Sequence, residues 1–320
     1  MKTKVPKFIV RRIILSLVTV WMVVTFTFLL MHHLPGDPFV SKKVVPPEIM
    51  ENITAKYGLD RPIYEQYFIY IGNIFKGDLG VSMKYANKSV NSIIAGAFPV
   101  SFDLGLRALF IALFAGILLG VIAALNKNKP FDDLALFISV IGVSIPGFVL
   151  GTLAQYLLCY KFSGFLSMLT GSSLRLFPVS GWKGFRYTVV PSMVLAFSAM
   201  AFIIRMMRAS LLEVLNRNYI VGAKVKGLSR KEIVLKHGLK NALFPIISIL
   251  GPLTASILLG SFAIEKIFSI PGLGHYLVSS VQDKDYTMVI GLSLFTSLIV
   301  VLVNTITDIL YSIMDPRVKL

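Results

Sequence analysis

Long apolar runs alternate with polar or mixed stretches along the whole chain. They fall at Ile13–Met31, Leu104–Leu125, Leu134–Leu158, Val190–Leu212, Leu243–Ile264 and Tyr286–Ile313. Each is long enough to cross the hydrocarbon core of a bilayer as a helix, which takes about 20 residues. The third run is interrupted by Ser144-Ile145-Pro146-Gly147. Proline removes a backbone donor and crowds the preceding turn, so this break predicts a kink, of the kind tolerated where neighbours re-satisfy the freed carbonyl. The first run follows Lys2, Lys4, Lys7, Arg11 and Arg12. It is too long for the apolar core of a usual signal peptide, and no small-x-small cleavage site precedes His32-His33-Leu34-Pro35-Gly36-Asp37-Pro38. It is therefore read as a first span that stays attached.

The stretches between runs predict the organisation. Residues 1–31 form a cytoplasmic N-terminus and first span, 32–98 an extracytoplasmic insert, and 99–320 a core carrying the remaining spans. Within the insert, Glu48–Tyr57 and Pro62–Phe75 read as short amphipathic helices. Tyr64, Tyr67, Phe68 and Tyr70 give the second an aromatic face suited to a membrane interface. His32 and His33 are adjacent, so their rings point different ways, and no third ligand lies near. They read as interfacial residues and not as a metal site. Residues 160–188 are expected to form a second outward loop.

The loop 213–242 is the most polar stretch held between two spans, and it reads as two short helices joined by a glycine turn. Asn218 is placed to N-cap the first helix. Gly227 sits where a residue just past a helix end takes a left-handed conformation. Ser229 caps the second helix, with Glu232 three residues on to complete a capping box. Gly222 and Ala223 give the first helix a bare flank on which another backbone could come close. A plain surface hairpin between spans fits this composition. A basic helix-turn-helix that binds DNA shares the glycine-turned pair, but membrane-length runs flank both sides, so no nucleic-acid partner is expected.

Here the chain resembles a known family. The pattern Tyr219-Ile220-x-x-Ala223-Lys224-x-Lys226-Gly227-Leu228-Ser229, followed by His237 and Asn241-Ala242-Leu243-x-Pro245, is similar to the cytoplasmic loop of ABC-importer permeases, closest to the oligopeptide, dipeptide and nickel branch. That loop's general signature begins Glu-Ala-Ala and has Gly four residues after the second Ala. Here those positions hold Val221, Gly222, Ala223 and Gly227, so no role for the acidic residue carries over. Gly77-Asp78-Leu79-Gly80-x-Ser82, Glu265-x-x-Phe268-Ser269-x-Pro271-Gly272-Leu273-Gly274 and Asp308-x-x-Tyr311-x-x-x-Asp315-Pro316-Arg317 extend the resemblance over nearly the whole chain. It implies an all-α integral membrane protein with six transmembrane helices, a type I ABC-importer permease fold and an extracytoplasmic insert after the first helix. It also implies that the first helix of the 213–242 loop couples to an ATPase. The residues implied in that contact are Tyr219, Val221, Gly222, Ala223, Lys224, Lys226, Gly227, Leu228, Ser229, His237, Asn241 and Pro245.

Composition narrows the alternatives. Of 320 residues, 55% are hydrophobic and only 15% charged, against about 25% charged in soluble domains. The net charge of +16 is unevenly spread. The N-terminus, the 126–133 and 213–242 loops and the C-terminal tail hold the larger and denser share of Lys and Arg, which places both termini in the cytoplasm of a multi-pass protein in the cytoplasmic membrane. The lone cysteine, Cys159, excludes an internal disulfide framework. No phosphate-cradling G-x-x-x-x-G-K-[ST], H-E-x-x-H or G-x-S-x-G motif occurs, so no enzyme activity and no cofactor are expected on this chain. ATP and Mg would sit on partner ATPases.

Asp103 and Arg107, four apart, are expected to pair at the outer end of the second span. Asp308 is placed to contact the basic inner end of the fourth, which carries Arg205 and Arg208. The middle third of every run lacks Asp, Glu, Lys, Arg and His. That weakens a gradient-driven carrier, whose coupling groups lie near the midplane. Ser144, Ser198, Thr254 and Ser256 reach the middle, where hydroxyls line paths or bridge helices. The resulting reading is a permease subunit that forms half of a peptide path. Its implied partners are a second similar permease, two cytoplasmic ATPases, an extracytoplasmic binding protein and the lipid bilayer. A nickel importer of the same family and an ion-gradient-driven secondary transporter remain the alternatives.

Overall fold

The computed structural model describes residues 4–33, 61–85, 88–171 and 176–314. These are helical apart from turns and one isolated antiparallel bridge, Val81 to Ser89. In chain order, α1 is Lys4–His33, α2 Ile63–Phe75, α3 Val90–Leu125 and α4 Pro130–Ser144. After it come α5, Gly147–Thr170, α6, Phe185–Leu215, and α7, Asn218–Val225. Then α8 runs through Arg230–Glu232, Ile233–Gly238 and Leu239–Ala242, with its middle wound as a wider π-type turn. The remaining helices are α9, Phe244–Ser248, α10, Leu250–Ile267, α11, Leu273–Gln282, and α12, Tyr286–Met314. Among the described residues, α1, α3, α6, α10 and α12 are long and apolar enough to span, and the bent pair α4 and α5 makes a sixth if counted as one.

Three expectations change. The second span does not begin near Leu104, because α3 starts at Val90 and runs 36 residues, with Pro99 inside it. The turns before Leu104 continue the helix, with Ser92 bonding back to the Ser89 carbonyl and Asp103 pairing with Arg107 at 2.9 Å as expected. The break at Ser144–Gly147 is more than a kink: the helices on either side diverge by 107°. Ile145 is extended (φ −91°, ψ 123°), since the ring of Pro146 pushes the preceding residue out of the helical region. The segment 160–188 is not all loop, because α5 continues to Thr170 and ends on Gly171 at φ +63°. The expected helix Glu48–Tyr57 lies outside the described residues.

The chain divides into two compact units. The first comprises residues 1–100 and 271–302. In it Val24, Phe28 and Met31 of α1 pack with Tyr70 of α2 and with Val289, Ile290 and Leu294 of α12. His32 is tied down locally, with its Nε2 3.0 Å from Gln66 Oε1 and its Nδ1 2.8 Å from the Phe28 carbonyl oxygen. Just before α12, Asp285 is 1% exposed and accepts hydrogen bonds from Ser82 Oγ at 2.5 Å and from the Met288 amide at 3.2 Å. Burial pushes the Asp285 carboxyl up from its ordinary value, against the hydrogen bonds from Ser82 and nearby amides that pull it down.

The second unit comprises residues 101–270 and 303–320. Its centre is α6, whose Ala196, Ala199, Ile203, Met207 and Leu211 pack with Ala108, Ala112 and Ala124 of α3, and with Ala242, Ile246 and Ile257. Small residues let these backbones come close. A Cβ added at Gly120 would lie 2.9 Å from the Ile204 carbonyl oxygen and 2.7 Å from Met207 Cβ. At one end of α6, Arg208 makes a two-pronged ion pair with Asp132 of α4, Nε to Oδ1 at 2.5 Å and Nη2 to Oδ2 at 2.7 Å. Glu265, fully buried near the end of α10, accepts a hydrogen bond from Ser101 Oγ at 2.7 Å.

The contact at Gly120 predicts that Gly120→Ala destabilises the protein by about 1–3 kcal/mol, because backbone and not a flexible side chain tip must yield. Gly96→Ala, with nothing within 4 Å of the added carbon, should not. Thermal melting of the two purified variants in detergent measures the difference.

Candidate functional site

Three residues after Leu215, the last of α6, the chain has turned and entered α7. Glu213 and Arg217 pair across that turn. Arg217, extended at φ −76°, ψ 147°, is the residue that precedes the helix, and Asn218 is already inside it with no side-chain cap. The expected Asn218 cap is therefore displaced by one residue. A helix of eight residues is marginal by itself and depends on packing. That packing comes from Ile220, 0% exposed, and Ala223, which meet Ile233 of α8 together with Leu215 and Leu228.

The turn between α7 and α8 forms as expected. Gly227 adopts φ +79°, a region costly for any residue with a Cβ. The Gly227 amide donates to the Lys224 carbonyl at 3.0 Å and the Leu228 amide to that of Ala223 at 3.3 Å. Ser229 then caps α8. Its Oγ accepts from the Glu232 amide at 3.3 Å, while the Glu232 carboxylate takes both the Ser229 amide and hydroxyl. The Ser229 hydroxyl, its amide and Lys236 together hold the Glu232 carboxyl below the ordinary carboxylate range. The cap's contribution is therefore fully present above the ordinary carboxylate value and is lost as pH falls through the lowered one.

The candidate residues separate into groups. Asn241 Nδ2 donates to the Tyr219 hydroxyl and to the His237 carbonyl, each at 3.0 Å, which draws the first and last parts of the motif together. Ala223 and Leu228 turn inward. Ala223 is thus not part of a bare flank, while Gly222 is, with nothing within 4 Å of where its Cβ would be. Val221 and Val225 project outward, 52% and 84% exposed. Lys224, Lys226 and Pro245 are also at the surface. Ile233 and Leu215, which with Ile220 fix the hairpin, were not singled out from sequence. The three-residue spacing from Ile220 to Ala223 was the available signal.

A second feature lies within the spans. A cleft of about 590 Å³ is bounded by Gly147 and Phe148 of α5, by Ser198 and Phe202 of α6, and by Pro252 and Ser256 of α10. Of the four hydroxyl residues expected near the midplane, Ser198 and Ser256 line it.

Residues 116–320 match the family described as "Binding-protein-dependent transport system inner membrane component", and residues 5–105 match its N-terminal companion. The chain belongs to this family. Such an inner membrane component is a multi-pass permease subunit, not an enzyme; it carries no cofactor, and it works with separate ATPases and a binding protein. The dipeptide transport system permease protein DppB of Lactococcus lactis subsp. cremoris is 42% identical over 98% of this chain and 99% of its own length. The oligopeptide transport system permease proteins OppB of Haemophilus influenzae and Escherichia coli are 42% and 38% identical over the same shares. Among solved structures, an inward-facing MetNI methionine ABC transporter aligns with a TM-score of 0.53 at 17% identity, covering 70% of this permease and 96% of that chain. That likeness shows the shared fold.

The positive φ at Gly227 generates a test. Gly227→Val should strain the α7–α8 turn by about 1 kcal/mol or more. The assembled transporter carrying it should hydrolyse ATP without moving substrate, or assemble poorly. Normal substrate uptake by this variant would show that the turn is not needed for coupling.

Proposed function

We propose that this permease forms one half of a translocation path for oligopeptides or dipeptides. Its partner across that path is a second, similar permease, with two cytoplasmic ATPases and an extracytoplasmic binding protein completing the importer. The observation that carries the substrate assignment is the unbroken similarity, at about 40% identity and over nearly the full length, to permeases of dipeptide and oligopeptide systems. The cleft edged by Ser198 and Ser256 suits such a cargo. Among the described residues its lining carries no charge, which fits cargo of varied side chains, and the hydroxyls of Ser198 and Ser256 can bond to peptide backbone.

The outward face of α7, bare at Gly222 and apolar at Val221 and Val225, is the surface we assign to the ATPase contact. Its inner face is keyed to α8 and the end of α6, so force applied to α7 is delivered to the spans. ATP-driven closure of the two ATPases then moves both coupling hairpins, and the path alternates between its two sides. In this reading both termini and the 213–242 loop are cytoplasmic, and residues 32–98 are outside.

Reconstituted with its partner chains in proteoliposomes, the permease should take up labelled peptides only with ATP on the ATPase side, with ionophores having no effect. Uptake of nickel and not of peptide would overturn the substrate assignment. Uptake driven by an imposed proton or sodium gradient without ATP would overturn the mechanism.

Topology and contact have their own test, in a Cys159→Ser background. Cysteine at Val225 should cross-link to an ATPase subunit. Cysteine at Lys183 should react with an impermeant thiol reagent added to intact cells, whereas cysteine at Lys127 or Lys231 should react only after the membrane is opened. Labelling of Lys231→Cys from outside would remove the coupling assignment.

A further inference from the structure

At the end of α6 away from Arg208, the segment 176–184 that leads into the helix is pinned to its neighbours. Gln155 Nε2 of α5 donates to the Val179 carbonyl at 2.9 Å and to the Ile267 carbonyl of α10 at 2.8 Å. The Gly181 amide donates to the Phe268 carbonyl at 2.8 Å, and the Phe177 amide to Ser163 Oγ at 3.1 Å. Gly181 and Gly184, at φ +105° and +106°, frame a fixed turn that presents Lys183. Arg186 in the first turn of α6 and Lys266 in the last turn of α10 stand at the same end, and all three cations are exposed. Among the described residues their side chains make no ion pair, hydrogen bond or ring contact. The carboxylates of the second unit at this end are taken. Asp103 pairs with Arg107, which also lies over the Phe185 ring, and Glu265 is 0% exposed and accepts from Ser101. Along the chain, residues 134–212 contain no Asp or Glu, while 160–188 carry Lys161, Arg175, Lys183 and Arg186.

Short loops between spans are where Lys and Arg are drawn to the cytoplasmic side. An outward loop that keeps its cations, with no acid among them, works against that bias and calls for a use outside. We propose that Lys183, Arg186 and Lys266 form a docking surface for an acidic face of the extracytoplasmic binding protein. Transport in this family depends on such a protein, which must meet the outer ends of the spans. Exposed cations steer a large partner of opposite charge and fix its orientation. The pinned segment favours a protein over lipid headgroups: a surface already ordered loses less entropy when a rigid partner docks, whereas mobile headgroups gain nothing from a fixed loop. The inference rests on the outward placement of residues 160–188 proposed above and not on peptide being the cargo.

The test titrates the importer's own binding protein, purified with its cargo, onto the full transporter in nanodiscs, where both membrane faces are open, and reads Kd. Lys183→Gln, Arg186→Gln and Lys266→Gln together should weaken binding about eightfold, from a loss of about twofold for each exposed cation. Lys183→Arg, Arg186→Lys and Lys266→Arg together keep the charge and should bind as wild type does. Raising the ionic strength from about 0.01 M to about 1 M, which shortens the screening length about tenfold, should weaken wild-type binding and affect the glutamine triple less. Equal Kd and equal salt response in the glutamine triple and wild type would overturn the proposal while leaving the importer reading intact. That is the result expected if these cations serve lipid headgroups instead. No binding by wild type at either ionic strength would overturn both. Orientation is read separately: labelling of Lys183→Cys only after the membrane is opened would place the cations inside and overturn the docking surface on that ground.

Discussion

Lipid offers helices no hydrophobic reason to associate, so the second unit depends on how closely backbones can approach α6. Along α3 and α4, Gly120 and Gly142 bring neighbouring main chains against that helix, and an added methyl at Gly142 would lie 2.5 Å from Ala201 Cβ. Dispersion and close polar contact replace the water-driven term that holds a soluble bundle together. Large residues face outward instead: Phe110 and Phe114 of α3 stack at 6.0 Å and are 67% and 64% exposed, a surface suited to acyl chains. A strong charge contact within this packing is the Asp132–Arg208 pair. Asp132 is 1% exposed and receives both prongs of the guanidinium, so removing either partner would leave a buried charge without compensation.

Short-range features were legible in the sequence because their physics is local. The Ser229–Glu232 box and the left-handed Gly227 involve residues within a few positions of one another, and both stand where expected. The spans were legible because composition alone decides whether a segment can cross lipid. The cap at Asn218 was misplaced because a helix start is decided by which carbonyls find partners. Here Arg217 supplies the first, to Ile220 at 3.0 Å. The first turns of α3 escaped notice because Pro99, Ser101 and Asp103 interrupt their apolar run, while the helix continues through them. The bend before Gly147 was foreseen in place but not in size. Its angle depends on what lies to either side of Ile145 and Pro146, not on those residues alone.

Contacts between distant positions were beyond reach. Nothing near Ser82 announces that its hydroxyl binds Asp285, or that Ser101 serves Glu265. Each of these carboxylates belongs to a buried polar pair whose serine lies more than 160 positions earlier in the chain. The same limit applied to the candidate site. The motif already held Ile220 and Ala223, but their meeting with Ile233 and Leu215 shows itself only once α7 and α8 are folded together.

The π-wound middle of α8 bears on how motion would be routed. Gly238, in that segment, meets Leu211 of α6, with only 3.2 Å between its missing methyl position and Leu211 Cδ1. Past it the chain passes through α9 into α10. The hairpin is therefore geared to two of the three walls of the 590 Å³ cleft, α6 by contact and α10 by continuity. The third wall, α5, joins α4 through two non-helical residues, Ile145 and Pro146. All three walls also touch directly, since Gly151 of α5 sits against Ile264 of α10 and Val194 of α6, so the width of the cleft is set by how closely these backbones approach.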